Sequence, residues 1–128
     1  MDYISPICVL IVDDHEILRM SLAVFLDSLD DIRLVGEVEN GQQAVEFCDR
    51  LQPDVVLMDI MMPVMDGITA TKFITQRHPD IAVVMLTSSF TGGREKESRA
   101  AGACDYMRKN ISGDKIAETI RAAAQQSV

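Results

Sequence analysis

The chain has 128 residues and is acidic, with 20 Asp and Glu against 12 Lys and Arg, a formal net charge of −8 and 48% hydrophobic residues. Its length fits a single domain over residues 1–128, with the core at about 7–124, and its acidity argues against direct contact with nucleic acid. The absence of an apolar run of about 18 residues predicts no membrane span, and the lack of an export signal or a CxxC pair indicates a cytoplasmic protein without disulfides or zinc.

The first half of the chain predicts two strand–helix pairs. Residues Ile7–Val12 form an unbroken apolar run, and five apolar residues then repeat at helical spacing: Leu18, Leu22, Phe25, Leu26 and Leu29. A second strand is predicted at Leu34–Val38. The next helix begins at Asn40, a good N-cap with Gln43 three residues on, and stops before Pro53. Its predicted inner face consists of Ala44, Phe47, Cys48 and Leu51.

The second half predicts three further pairs. The strands are Val55–Met58, Ile81–Leu86 and Cys104–Met107. The third helix follows Asp66-Gly67, ends before Pro79 and turns inward Ile68, Thr71 and Ile74. A fourth, weakly apolar helix is predicted at Arg94–Ala101, and the last starts near Ser112 and buries Ile116, Ile120 and Ala123. This alternation of apolar strands and helices predicts an α/β fold with a doubly wound, five-stranded parallel sheet between two helix layers.

Charged and hydroxyl residues occur at the carboxyl ends of four predicted strands. Asp13 and Asp14 come after the first strand, Asp59 after the third, Thr87 after the fourth, and Lys109 shortly after the fifth. In a doubly wound sheet, ligands bind beyond these strand ends. We therefore expect three carboxylates, a hydroxyl and an ammonium to share one crevice.

The residue types in this crevice indicate a cation site and a phosphoryl acceptor. Neighbouring carboxylates repel by on the order of 3 kcal/mol per pair at an effective dielectric near 20. A divalent cation offsets this repulsion, and oxygen ligands suit Mg²⁺. Asp13 and Asp14, as a pair, are the predicted metal ligands, and Asp59, alone after a central strand, is the predicted nucleophile. Each residue alone has an ordinary explanation as a turn, cap or surface charge, so the prediction depends on their coincidence.

Four segments resemble the receiver domains of response regulators in two-component signal transduction. They are VLIVDDHE (Val9–Glu16), PDVVLMDIMMPVMDG (Pro53–Gly67), VVMLTS (Val83–Ser88) and AGACDYMRK (Ala101–Lys109). The resemblance runs from about Ile7 to Ile120 and implies a flavodoxin-like (βα)₅ fold in three layers. The DDHE start followed by Arg19 is similar to receivers that precede a LuxR-type helix-turn-helix domain. Asn110 follows Lys109, where many receivers have proline.

The resemblance implies a role for each candidate site residue. Asp59 looks like the phosphorylation site, and Lys109 like the ammonium that contacts the phosphoryl group. Thr87 looks like the switch hydroxyl, and Tyr106 like the aromatic residue that changes rotamer with it. The implied ligands of Mg²⁺ are Asp13, Asp14, Asp59 and the backbone carbonyl of Met61.

The resemblance also implies partners. The phosphoryl donor would be a phosphohistidine on a sensor histidine kinase, or a small acyl phosphate. The domain would catalyse only its own phosphorylation and dephosphorylation, so it would not be an enzyme in the usual sense. Phosphorylation would switch an output surface, favour a homodimer and control transcription through a DNA-binding domain outside these residues. The small, polar end of the chain is either a frayed helix end or the start of a linker at 125–128.

Other interpretations remain open at the level of sequence. A Mg²⁺-dependent phosphohydrolase with an aspartyl nucleophile would carry a second acid where Met61 stands. A flavin or nucleotide module would need a phosphate-cradling loop where Asp13 and Asp14 stand. A degenerate receiver that only presents an interaction surface would not need the full set of acids. His15 is a metal ligand, a phospho-acceptor or, as we favour, a packing or capping residue.

Overall fold

A computed structural model describes residues 5–88 and 94–126. Ser127 and Val128 of the predicted linker start, and residues 1–4 of the predicted domain, lie outside the described residues. Five strands alternate with five helices: β1 (Ile7–Val12), α1 (Glu16–Asp27), β2 (Ile32–Val38), α2 (Gly41–Leu51), β3 (Val55–Asp59), α3 (Gly67–Arg77), β4 (Ala82–Thr87), α4 (Glu95–Ala100), β5 (Asp105–Arg108) and α5 (Gly113–Gln126). The predicted order of elements is confirmed.

The five strands form one parallel sheet in the order β2-β1-β3-β4-β5. Strand order reverses between β1 and β3, so the chain winds outward from the centre in both directions. The neighbouring pairs Val12 with Met58 and Asp59 with Leu86 bring the carboxyl ends of the central strands to one edge. A doubly wound sheet binds ligands at this crevice, where the strand order reverses.

Two apolar clusters cover the two faces of the sheet. Alternate residues of the central strands, such as Val9 and Leu57, pack with α1 and α5. The intervening residues, such as Leu10 and Met58, pack with α2 and α3. Because both faces are covered, these strands are apolar at nearly every position. The fold is therefore the predicted flavodoxin-like arrangement in three layers.

Local hydrogen bonds set the start of α2 and α3. The Asn40 carboxamide accepts from the Gln43 amide at 2.9 Å, and the Gln43 side chain accepts from the Glu39 amide at 2.8 Å. Asp66 caps α3 by accepting from the Thr69 amide at 2.8 Å. A Cβ at Gly67 would clash with the carbonyl oxygen of Asp59. Glycine therefore allows α3 to begin directly against the end of β3.

Several predicted boundaries differ from the structure by one or two residues. β2 begins at Ile32, which pairs with Ile7, rather than at Leu34. β3, β4 and β5 each run one residue further than predicted and take in Asp59, Thr87 and Arg108. A parallel ladder bonds through the backbone, so a polar side chain at the strand end does not stop it.

The prediction that Leu51 lies on the inner face of α2 is wrong. Its side chain is 62% exposed, and Val45 is buried instead. Leu51 is the last residue of the helix, and Gln52 follows in the left-handed conformation with φ 42°. The chain leaves the helix there, and the leucine lies at its end instead of against the sheet.

Within the described ranges, no helix is long and apolar enough to cross a membrane.

The same ranges contain no cis peptide bond, so the peptide bond between Lys109 and Asn110 is trans.

Candidate functional site

Asp13 lies directly after β1, and its backbone amide and both of its carboxylate oxygens make polar contacts. Its backbone amide donates to the Val38 carbonyl at 3.1 Å. Its carboxylate accepts from the His15 amide at 2.8 Å through Oδ1, while Oδ2 lies 2.8 Å from the Lys109 ammonium. The residue is only 4% exposed. A short turn at the end of a buried strand thus presents a charged group in a largely dry environment.

Asp59 is the last residue of β3 and is 3% exposed. Its Oδ2 lies 3.0 Å from Lys109 Nζ. The contact is an ion pair rather than a well-aligned hydrogen bond. Asp59 Oδ2 and Lys109 Nζ are accordingly buried atoms without a hydrogen-bond partner within the described part of the chain. Such atoms are rare in folded proteins and call for an explanation, such as ion binding or a catalytic role.

Lys109 joins three strands at the carboxyl edge. Its backbone amide donates to the Thr87 carbonyl at 2.8 Å, which ties the loop after β5 to the end of β4. Its side chain is 8% exposed and contacts Asp13, directly after β1, and Asp59, the last residue of β3. One ammonium therefore faces two buried carboxylates and leaves the cluster with excess negative charge.

The electrostatics of the cluster act on Asp59 in particular. Burial raises the pKa of Asp59 from 3.8 to about 6. The positive charge of Lys109 opposes this rise, and the negative charges of Asp13 and Asp14 add to it. Without a further cation, ionised Asp59 is thus less stable in the folded protein than in water.

The donor set fits a divalent cation. Asp13, Asp14, His15 and Asp59 each offer one ligand atom, and these atoms all lie within 4.8 Å of one another. Asp59 Oδ2, which has no hydrogen-bond partner within the described residues, has lone pairs that a cation would take. Three of the four groups are carboxylates, and hard oxygen ligands of this kind suit Mg²⁺.

The structure brings together most of the residues predicted for the site. The Lys109 ammonium contacts both Asp13 and Asp59. Asp14 is more exposed, and one of its carboxylate oxygens lies within 4.8 Å of a carboxylate oxygen of each of the two other acids. Thr87 is 3% exposed at the end of β4. The roles assigned to these residues stay predictions.

Tyr106, Met61 and His15 lie around this centre. Tyr106 lies on β5 opposite Met85, its ring packs against the core on the α2 and α3 side, and its buried hydroxyl has no hydrogen-bond partner within the described residues. Met61 is two residues beyond Asp59, and its side chain is 66% exposed. His15 is the N-cap of α1, and its Nδ1 lies 3.1 Å from Asp13 Oδ1 and 3.3 Å from Asp14 Oδ1.

Sequence reasoning missed two residues that build the site. Arg19 Nη1 donates to the Asp13 carbonyl at 2.6 Å, although the sequence marked Arg19 only as part of a family resemblance. Gly67 packs against the Asp59 backbone, although the Asp66-Gly67 step indicated only a helix start. The signal for Arg19 was its place on the first turns of the helix that follows the acid pair.

Comparison with known proteins assigns the chain to a family. The family model of the response regulator receiver domain matches residues 9–121. The chain belongs to the response regulator receiver domain family. Receiver domains bind Mg²⁺ at an acidic cluster, and the group formed by Asp13, Asp14, His15 and Asp59 lies where such a cluster is expected. The family is regulatory rather than composed of classical enzymes.

Individual relatives support the same assignment of this receiver domain. The transcriptional regulatory protein LiaR of Bacillus subtilis is 42% identical over 117 residues, which are 91% of this chain and 56% of LiaR. The response regulator domain of Thermotoga maritima CheB superposes with a TM-score of 0.87 at 36% identity, covering 94% of this chain and 97% of that one. A LuxR-family DNA-binding response regulator from Staphylococcus aureus superposes with a TM-score of 0.86 at 25% identity, covering 91% of this chain and 98% of that one. The chain thus spans little more than half the length of LiaR.

Proposed function

We propose that this receiver domain accepts a phosphoryl group on Asp59 and passes the signal to an output domain of the LuxR type. The observation that carries the proposal is the buried Asp59 Oδ2, which has no hydrogen-bond partner within the described residues and faces a single ammonium. A carboxylate in this state is available both to a cation and to an electrophilic phosphorus.

Asp13, Asp14 and Asp59, with the backbone carbonyl of Met61, would hold Mg²⁺ in this proposal. The ion would supply neutralisation of charge on the phosphoryl oxygens. His15 occupies the N-cap position of α1, with its Nδ1 3.1 Å from Asp13 Oδ1 and 3.3 Å from Asp14 Oδ1. The ligand atoms of Asp13, Asp14 and Asp59 lie within 4.8 Å of one another, which supports the three carboxylates as ligands.

In the proposed transfer, an Asp59 oxygen attacks phosphorus. A bond forms between that oxygen and phosphorus, and the bond from phosphorus to the donor nitrogen or oxygen breaks, with the electron pair leaving on the donor. Lys109, already 3.0 Å from Asp59 Oδ2, is positioned to contact a phosphoryl oxygen. The Thr87 hydroxyl would donate a hydrogen bond to another. Burial of these groups keeps water from the reacting atoms and strengthens the electrostatic interactions between them.

The same residues suggest how the signal would leave the site. Phosphorylation adds a dianion, and Thr87 would move toward it. Tyr106 would fill the space that Thr87 leaves, and its buried hydroxyl, without a partner within the described residues, would change environment. The surface of α4, β5 and α5 would then favour a second packing, which a dimer partner or an output domain would recognise.

The proposed partners follow from this role and from the relatives. A phosphohistidine on a sensor histidine kinase, or a small acyl phosphate, would donate the phosphoryl group. LiaR is named a transcriptional regulatory protein, and this chain covers 56% of it. We propose that the whole protein controls transcription through a DNA-binding domain, with the receiver acting only on its own phosphorylation and dephosphorylation.

Mass spectrometry tests the acceptor directly. The chain is incubated with acetyl phosphate and Mg²⁺, and the intact mass is measured. Wild type should gain the mass of one phosphoryl group, and Asp59→Asn should gain none, because an amide oxygen is a far weaker nucleophile than a carboxylate.

Asp66→Asn is the matched control, since it removes an acid from the same loop while asparagine can still cap α3. It should gain the phosphoryl group as wild type does. A gain in Asp59→Asn equal to that of wild type, or no gain in wild type, would contradict the proposal.

A further inference from the structure

Arg19 connects α1 to the turn that carries the acid pair. It lies on the first turns of α1, and its side chain is 15% exposed. Its Nη1 donates to the Asp13 carbonyl oxygen at 2.6 Å, and its Nε lies 3.5 Å from Glu37 Oε1 on β2. A guanidinium this buried needs such partners, because burying an unpaired charge costs several kcal/mol.

The bond to the Asp13 carbonyl bears on both acids. That carbonyl belongs to the peptide unit that joins Asp13 to Asp14, so fixing it limits rotation of the backbone on either side. The Asp13 amide is already bonded to the Val38 carbonyl. With Arg19 in place, both backbone polar groups of Asp13 are held, which limits the directions in which the two side chains leave the backbone.

We infer that Arg19 is a positioning residue for the cation site, holding the Asp13-Asp14 peptide so that both carboxylates face Asp59. The inference rests on the proposed function of the cluster, and it gives a role in cation binding to a residue that is not itself a ligand. Groups that orient metal ligands from outside typically contribute about 10–100-fold to metal affinity.

The sign of the effect separates positioning from simple electrostatics. Arg19 carries a positive charge next to a site for a cation, so its charge alone disfavours Mg²⁺. If charge were its whole contribution, replacing it with a neutral residue would strengthen Mg²⁺ binding. If Arg19 acts through the Asp13 carbonyl, the same replacement weakens binding.

Arg50 offers a matched control for the charge. It lines the same polar groove of about 570 Å³ as Arg19, together with several acids: Asp14, Glu16, Glu37, Glu39 and Glu46. Arg50 is an exposed residue near the end of α2. Arg50→Met therefore removes one positive charge from the groove without touching the turn after β1.

The test is calorimetric titration of the whole 128-residue chain with MgCl₂, at a temperature where each variant is folded. Arg19→Met should raise the Kd for Mg²⁺ by about tenfold or more. Arg50→Met should leave the Kd unchanged or lower it slightly. Arg19→Lys keeps the charge but loses the planar fork, and its Kd should lie between those of wild type and Arg19→Met.

The outcomes keep the inference separate from the proposed function. No Mg²⁺ binding by wild type would overturn both. Normal binding by wild type with an equal or lower Kd in Arg19→Met would overturn only the role of Arg19. A purely structural role would lower the melting temperature of the metal-free variant without changing the Kd of the folded protein, and that result would also overturn it. If Arg19→Met does not fold, the Kd of Arg19→Lys for Mg²⁺ becomes the deciding measurement. A Kd equal to that of wild type would then reject the inference.

Discussion

The two edges of the sheet use charged side chains in opposite ways. At the amino edge, Arg121 donates to both carboxylate oxygens of Asp31, at 2.6 and 3.0 Å. Asp49 bonds to Arg77 at 2.8 Å and to His78 at 2.7 Å, linking the ends of α2 and α3. Asp31, Arg121, Asp49 and Arg77 are at least 39% exposed in their side chains. These charges are solvated and paired.

At the carboxyl edge, the side chains of Asp13, Asp59 and Lys109 are at most 8% exposed, and two carboxylates share one ammonium. Two of the buried atoms there have no hydrogen-bond partner within the described residues. Such an arrangement lowers the stability of the metal-free fold. The contrast indicates that the carboxyl edge is arranged for a ligand, at the expense of stability.

The largest expected effect is on the pH dependence of stability. Folded Asp59 has a pKa of about 6, against an ordinary value of 3.8. Between these values the folded state binds more protons than the unfolded state, so the free energy of unfolding falls as the pH rises. Asparagine does not titrate. The free energy of unfolding of Asp59→Asn minus that of wild type should therefore rise by about 2 kcal/mol between pH 4 and pH 7. Urea unfolding without divalent cations measures it.

Asp31→Asn makes the comparison between edges quantitative. The hydrogen bond from Arg121 holds the pKa of Asp31 below its ordinary value of 3.8. Its contribution to stability is therefore present above that value and lost as the pH falls. Asp31→Asn should be less stable than wild type at neutral pH, with the deficit shrinking in acid, which is opposite to the trend at Asp59. Equal slopes for both variants would remove the distinction between the edges.

A smaller effect is expected from two residues with positive φ. Val64, in the loop after β3, has φ 70° and is 76% exposed, while Gln52, which ends α2 at the amino edge, has φ 42°. A β-branched residue is strained there, at about 1–3 kcal/mol, and an unbranched helix cap much less. After the entropic cost of glycine, Val64→Gly should stabilise the fold by about 1 kcal/mol. Gln52→Gly should gain less.

Chemical denaturation of both glycine variants measures these gains. If Gln52→Gly gains as much as Val64→Gly, strain is not concentrated at the carboxyl edge.

The fold could largely be predicted because its pattern is local. Strands covered on both faces must be apolar throughout, as Ile7–Val12 is, and capping residues such as Asn40 and Asp66 mark helix starts. The exposure of Leu51 could not be predicted, because it depends on the left-handed backbone of Gln52. The start of β2 at Ile32 likewise depends on pairing with Ile7.

The charged centre of the candidate site was predictable from the sequence, but its geometry was not. Parallel strands deliver Asp13, Asp59 and Lys109 to one edge wherever such a sheet forms. The sharing of one ammonium by two buried carboxylates, and the resulting rise in the pKa of Asp59, depend on distances and burial. The bond from Arg19 to the Asp13 carbonyl is a contact between a side chain and a backbone group, which residue types alone do not encode.

The most direct test of the contrast between the edges is the free energy of unfolding measured against Mg²⁺ concentration at pH 7. A cation that binds only the folded cluster should stabilise wild type by about 2.7 kcal/mol at 100 times its Kd. Asp59→Asn should show much less stabilisation, and Asp31→Asn should respond as wild type does. A free energy of unfolding of wild type that stays constant up to millimolar Mg²⁺ would contradict the account.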